Sequence, residues 1–121
     1  MAEEFIKRAT RYCQCEMREV QPRRFDPWDK HPSAMKIALD PAGRRIDTQE
    51  FIRMVERAEL ESRDLVFLLG GHDGLPAGWA RRAEQRISLS AMTFPHELAR
   101  VMLAEQIYRA FTTLRGHPYP R

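Results

Sequence analysis

Cysteine is scarce, with only Cys13 and Cys15 in 121 residues. Read as part of an alternating strand, the two thiols point to opposite faces, which argues against a disulfide between them. A metal site needs more ligands than this pair and four scattered histidines supply, so no metal is expected and the thiols read as reduced. No run approaches the roughly eighteen apolar residues of a membrane span. The opening "MAEEFIKRATRY" starts with acids, where a signal peptide needs an apolar segment. A cytoplasmic protein with no membrane partner is therefore expected. Internal repeats and low-complexity runs are missing too. So are the G-x-G-x-x-G of a dinucleotide fold, the Gly-Lys-Ser/Thr of a P-loop, and any Ser-His-Asp or Cys-His arrangement.

What is present suits one globular domain spanning 1–121, with 43% apolar residues. The net charge of +3 permits a nucleic-acid partner without requiring one. Basic residues cluster in "PRRFDPWDKH", "GRRI", "WARRAEQR" and the tail "LRGHPYPR". For any one cluster a solvated surface is the plainer reading.

Glu3 to Tyr12 suits a short helix, with Phe5, Ile6 and Ala9 at helical spacing. "QCEMREV" alternates as a half-buried strand would. "QPRRFDPWDKHPS", with three prolines, reads as an irregular connector. "MKIALD" is a strand and "PAG" a turn. Asp47, with Glu50 three residues later, marks a capping-box-like helix start. Phe51, Ile52, Val55 and Ala58 give that helix one apolar face, to about Leu60. "LVFLL" is a continuous apolar run, expected for a central parallel strand covered on both faces. "GGHDGLP" breaks it, and Pro76 opens a short helix through Ala83. A short alternating strand with Ile87 and Leu89 follows. This alternation predicts an α/β domain with a mostly parallel sheet flanked by helices.

The last helix, Pro95 to Leu114, carries two apolar stripes. Leu103, Ile107, Ala110, Phe111 and Leu114 form one, and Leu98, Val101, Met102 and Tyr108 lie opposite. One stripe suits the sheet and the other a second subunit. Arg100 falls inside the first stripe, where a cation needs a partner or a ligand. An interface ion pair and a substrate contact both remain open. Lone histidines such as His96 and His117 are more often structural or exposed than catalytic.

Ligands of parallel sheets gather at the carboxyl ends of the strands. Three loops leave strand ends here: "LDPAG", "LLGGHDG" and "LSAMTFP". The glycines of the second allow close approach to the backbone. The segments "LDPAG", "FLLGGHDGL" and "ISLSAMTFPHELARVMLAEQIYRAF", then "LRGHPY", occur in that order. Together they closely resemble the RlmH family of SPOUT, or trefoil-knotted, methyltransferases. The resemblance runs from Met35 to Arg121 and returns weakly at "EEFIKRATRYCQCEMREV".

The resemblance implies transfer of a methyl group from S-adenosylmethionine to N3 of a pseudouridine in 23S rRNA, in a hairpin at the ribosomal subunit interface. It also implies a C-terminal trefoil knot and a homodimer built on the last helix, with a site composed from both subunits. Matched residue by residue, Leu39, Gly71, Ser90, Ala91, Met92, Thr93, Phe94 and Pro95 would bind S-adenosylmethionine. Methyl transfer from a sulfonium needs in-line positioning and few catalytic side chains. A base, or a cation stabilising the N3 anion, would suffice; Arg100, His117 and Tyr119 are the candidates. The chain departs from the family in three ways. It opens without the family's apolar strand and "VGK"-like turn, so the domain reads as truncated at its N-terminal side, with about four strands. The connector replaces a helix. Pro120 follows Tyr119 where the family usually has His. A second reading therefore stands beside the first: a reduced, non-catalytic relative that binds S-adenosylmethionine or RNA without methylating that target.

Overall fold

The computed structural model describes residues 1–119. Its elements in chain order are α1 (Ala2–Ala9), α2 (Pro27–Lys30), β1 (Met35–Arg45), α3 (Thr48–Leu60), β2 (Leu65–Leu68), α4 (Trp79–Arg82), β3 (Gln85–Ser88) and α5 (His96–Leu114). The three strands form one parallel sheet in the order β2-β1-β3. The α/β architecture is as expected, but "LVFLL" supplies an edge strand, and β1 is the central one. A continuous apolar run reports covered faces rather than hydrogen-bonded neighbours. Here even the faces are half covered, since Leu65, Val66 and Phe67 are only half-buried.

The expected strand at "QCEMREV" does not form, leaving three strands among the described residues instead of four. Its alternation survives as exposure: Cys15 and Met17 are half-buried, Glu16 and Arg18 exposed. Alternation alone does not make a strand, because the backbone also needs a ladder partner.

β1 contains the "PAG" turn within itself. Its register with β3 jumps from Leu39 beside Ile87 to Arg44 beside Ile87, so residues 40–43 loop out of the ladder. Asp40 shapes the loop by accepting the Ala42 N–H at 3.0 Å. Gly43 then returns against β3 so closely that a Cβ there would lie 2.7 Å from the Arg86 carbonyl carbon. The Asp47 start of α3 is as expected, its carboxylate accepting the Glu50 N–H at 2.8 Å. Phe51, Ile52, Val55 and Ala58 are all buried. The helix expected from Pro76 shortens to α4, because Gly78 precedes it in the left-handed region at φ 84°.

Helix α5 ties the layers together. Leu103, Ala110 and Phe111 are buried in one cluster with Phe51, Ile52 and Val55 of α3 and Ala9 of α1. The helix ends in a Schellman motif. Gly116 takes φ 71°, the His117 N–H reaches the Thr112 carbonyl at 2.8 Å, and the Gly116 N–H reaches Thr113 at 3.2 Å. The second stripe of α5 is not free along its whole length. Helix α1 and the turn after it lie against it, with the Phe5 and Tyr12 rings 6.2 and 6.5 Å from Tyr108. Leu98 remains 45% exposed, and Val101 and Met102 are half-buried.

Candidate functional site

The register fixes where the loops emerge. Ala38 sits beside Leu68, and Leu39 beside Ile87. All three parallel strands therefore run out at one level, and residues 40–43, 69–75 and 89–95 leave the sheet at its carboxyl end. That is where doubly covered parallel sheets leave a crevice for ligands.

The two neighbouring glycines of the middle loop have different roles. A Cβ on Gly70 would lie 2.5 Å from the Gly74 carbonyl carbon and 2.6 Å from the Leu75 nitrogen. Gly70 is glycine because the loop closes on it. The closure is held by the Gly74 N–H donating to the Gly71 carbonyl at 3.0 Å, with Gly74 at φ 82°. At Gly71, by contrast, a Cβ would meet nothing within 4 Å, and φ is not in the left-handed region. No intrachain contact requires glycine at Gly71.

The third loop is shaped by serines. Ser88 Oγ donates to the Ser90 carbonyl at 2.6 Å, and Ser90 Oγ accepts the Met92 N–H at 3.0 Å. These bonds turn the chain and leave the main-chain groups of Ala91, Thr93 and Phe94 without a protein partner among the described residues. Met92 projects an apolar side chain that is 73% exposed. Phe94 is half-buried, while Thr93 and Pro95 are exposed. Leu39 is half-buried, and its side chain packs against the core cluster.

Open amides and carbonyls, an apolar side chain and a glycine with free space beside it fit S-adenosylmethionine. Its adenine edge can be read by backbone groups and its sulfonium needs an apolar wall.

Arg100 is half-buried on α5, and its Nε is buried without a hydrogen-bond partner among the described residues. A guanidinium nitrogen withdrawn from water in this way carries an uncompensated desolvation cost. The Arg100 charge does reach α1. Glu3's carboxyl is held below its ordinary range mainly by its own backbone N–H, then by the N-terminal ammonium, with Arg100 contributing least.

The tail folds back on the chain. Tyr119 OH donates to Glu105 Oε2 at 2.8 Å, its ring lies 5.1 Å from Tyr108, and the Arg109 guanidinium stands 4.6 Å over it. Burial and then the Glu105 bond push the Tyr119 phenol up, so it is held as a donor. At Glu105, burial pushes the carboxyl up, but the bonds from Arg109 and Tyr119 outweigh it and the net direction is down. His117 is exposed and meets the Tyr12 ring edge-on at 5.4 Å. Arg115 is engaged by Glu59 at 2.6 and 2.9 Å. Pro120 and Arg121 lie outside the described residues. No hydrogen bond or ring contact joins Arg100, His117 and Tyr119 to one another among the described residues.

Glu105 and Arg109 were not singled out from the sequence, although their spacing of four on α5 signals the ion pair that forms at 2.7 Å. Also unforeseen is a cleft of about 410 Å³ beside this end of the sheet, lined by Ile46, Phe51, Leu89, Val101, Met102 and Glu105 among others. Among the described residues no cluster of His, Cys, Asp and Glu could hold a metal ion. No helix there is long and apolar enough to cross a membrane. Burial raises both cysteine thiols, Cys15 to about 11, so neither is a reactive thiolate.

Residues 1–120 match the family described as "Predicted SPOUT methyltransferase". A protein of Solibacter usitatus named "Ribosomal RNA large subunit methyltransferase H" is 64% identical over the whole chain, which covers 87% of that relative. The chain belongs to the RlmH family of SPOUT methyltransferases. A Sorangium cellulosum relative of the same name is 42% identical, with 97% of this chain and 85% of the relative aligned. One from Alkalilimnicola ehrlichii is 51% identical over 70% of this chain and 55% of its own length. The match to the Solibacter usitatus relative extends through the connector and the tail, two of the three departures behind the reading as a reduced relative, and does not favour that reading.

Proposed function

We propose that this chain is an S-adenosylmethionine-dependent methyltransferase acting on RNA of the large ribosomal subunit, with N3 of a pseudouridine in 23S rRNA as the acceptor. The observation that carries the proposal is the convergence of three parallel strand ends on the free space beside Gly71 and the unpartnered main chain of Ala91, Thr93 and Phe94, in a member of a methyltransferase family. Gly71 and Ser90, Ala91, Met92, Thr93, Phe94 and Pro95 would hold the cofactor, with Leu39 closing the floor from the core side. Bound there, S-adenosylmethionine supplies the electrophilic methyl.

The chain's own residues orient the acceptor. Arg100 offers a cation with an unsatisfied N–H, suited to an oxygen or nitrogen anion that develops as N3 loses its proton. Tyr119, kept protonated by burial and Glu105, suits hydrogen bonding or stacking rather than base chemistry. His117 is exposed and is left as the candidate proton acceptor.

The same proposal includes a single domain over 1–121, a C-terminal trefoil knot, action in the cytoplasm, and a homodimer. Leu98 and the cleft walls Val101 and Met102 supply an apolar strip that a second copy would cover. The test is methyl transfer from labelled S-adenosylmethionine to ribosomes from a strain lacking the modification. Label at a single pseudouridine is expected. A folded protein that binds the cofactor and labels nothing would overturn the assignment.

A further inference from the structure

Two basic clusters separated in sequence, "PRRFDPWDKH" and "WARRAEQR", are joined in space and are unused by the proposed methyl-transfer site. The Arg82 guanidinium lies 4.1 Å over the Trp28 ring, and Trp28 meets Trp79 edge-to-face at 5.9 Å. Asp26 locks the assembly by accepting the Trp28 N–H at 2.9 Å and pairing with Arg82 at 3.8 Å. Behind it, Lys36 of β1 is 2% exposed and donates to the carbonyls of His31 and Ala34, tying the connector to the sheet. The surface is thus built from the two short helices α2 and α4.

Its charge is one-sided. Residues 21–31 and 79–82 hold five arginines and lysines against two aspartates, and Asp26 is already engaged. Arg23, Arg24, Lys30 and Arg81 are exposed and have no carboxylate within ion-pair distance among the described residues. Elsewhere the chain pairs many of its surface cations, as at Arg44, Arg63, Arg109 and Arg115. The patch lies at the amino end of the sheet. α4 leads into the start of β3, and the Glu84 N–H bonds the Lys36 carbonyl at 3.0 Å, whereas the cofactor loops leave the opposite end.

We propose that this surface is a second RNA-binding surface, gripping the sugar-phosphate backbone at a distance from the methylated nucleotide. Unpaired arginines meet phosphates without first giving up an ion-pair partner, and arginine forks suit phosphate geometry. The aromatic pair acts as the scaffold for Arg82, since one face of Trp28 is already occupied. The proposal rests on the reading that the substrate is RNA, but not on turnover.

Trp28 and Trp79 are the only tryptophans in the chain, so intrinsic fluorescence reports on this surface alone. The full-length protein would be titrated with a protein-free 23S rRNA fragment at several salt concentrations. The same titration would follow in R23Q/R24Q/R81Q, with S-adenosylmethionine binding measured alongside as a check of the fold. Tryptophan quenching by RNA is expected in the unmodified protein. The variant should bind at least tenfold more weakly near 100 mM salt, with the slope of log K against log salt reduced by about two to three. A further single variant, Arg81→Gln, should lose about one unit of slope and covers the case in which the triple variant misfolds. Equal RNA affinity and slope in folded variants would overturn the proposal. So would weaker binding to ribosomes with unchanged binding to protein-free RNA, which would assign the patch to an acidic protein instead. Patch-dependent RNA binding without methyl transfer would uphold this proposal while refuting the catalytic one.

Discussion

Gly71→Val separates the ligand role proposed for one glycine from the structural role of its neighbour. At Gly71 the added Cβ meets no atom within 4 Å, and the residue is exposed. Surface changes of that kind alter stability by no more than about 0.5 kcal/mol. The neighbouring Gly70→Ala has the opposite geometry. Its Cβ would lie 2.5 Å from backbone at Gly74, where neither side has a flexible side chain to move. Overpacking against fixed atoms costs about 1–3 kcal/mol, so Gly70→Ala should lower the melting temperature by several degrees, at roughly 4–8 °C per kcal/mol for a domain near this size. Gly71→Val should leave melting unchanged and instead fill the space a cofactor would occupy, lowering S-adenosylmethionine affinity at least tenfold, about 1.4 kcal/mol. Thermal melts and titration calorimetry on both variants give four numbers. Unchanged cofactor affinity in a folded Gly71→Val protein would refute the placement of the cofactor at this loop. Loss of stability at Gly71 equal to that at Gly70 would refute the distinction between them.

If the proposed dimer forms, Met102→Glu should convert it to monomers in sedimentation velocity, because it puts a charge on the apolar strip of α5 proposed to meet the second copy. Phe111→Glu is unsuitable, since Phe111 is buried in the chain's own core. Glu105 has a depressed pKa, so its contribution to holding the tail is complete above the ordinary carboxyl range and is lost as pH falls through the depressed value. Acid should therefore free Tyr119, seen as loss of its ring-current shifts by NMR, while Glu105→Gln should weaken the tail by about 1 kcal/mol at neutral pH. Deleting 117–121 should abolish methyl transfer to ribosomes and change cofactor affinity by less than about threefold, a value set by the usual near-additivity of distant sites. Transfer at the intact rate would reduce the tail to a packing element.

Periodicity reads α3 well because it has one dominant buried face, whereas the short α2 forms inside the stretch expected to be an irregular connector. The α3 cap and its stripe Phe51, Ile52, Val55, Ala58 are local properties, and local properties are written in short windows. Sheet order is not local. Apolarity predicts a central place for "LVFLL", yet β1 takes the centre because both neighbours pair with it. "QCEMREV" has the alternation of a strand and no partner to make it one. The same limit applies at the site. The loop order revealed the family, but nothing in "GG" distinguishes the glycine that closes the loop from the one with free space beside it. The Trp28–Arg82–Trp79 assembly was visible only as two separate basic clusters, since its partners are about fifty residues apart and meet through tertiary packing.

The separation of Arg100, His117 and Tyr119 bears on how a site could be assembled. Tyr119 is bound to Glu105 and beneath Arg109, while His117 meets Tyr12 of the segment after α1. Arg100 lies about one and a half turns before Glu105 and two and a half before Arg109 on α5, nearer the loop that ends at Pro95. Moving the tail to the loops proposed for the cofactor in its own chain would break the Tyr119–Glu105 bond and uncap α5 at Gly116. A second copy docked along Leu98, Val101 and Met102 could instead bring its folded tail to these loops with every intrachain bond intact. A composite site is thus the arrangement that uses the three residues without undoing the packing around two of them. It also makes a sharp demand. Mixing inactive tail-deleted chains with inactive Gly71→Val chains should restore up to about a quarter of the activity of the unmodified dimer, from the sites in random heterodimers that combine an intact tail with an intact cofactor loop; no restoration would mean that each chain completes its own site.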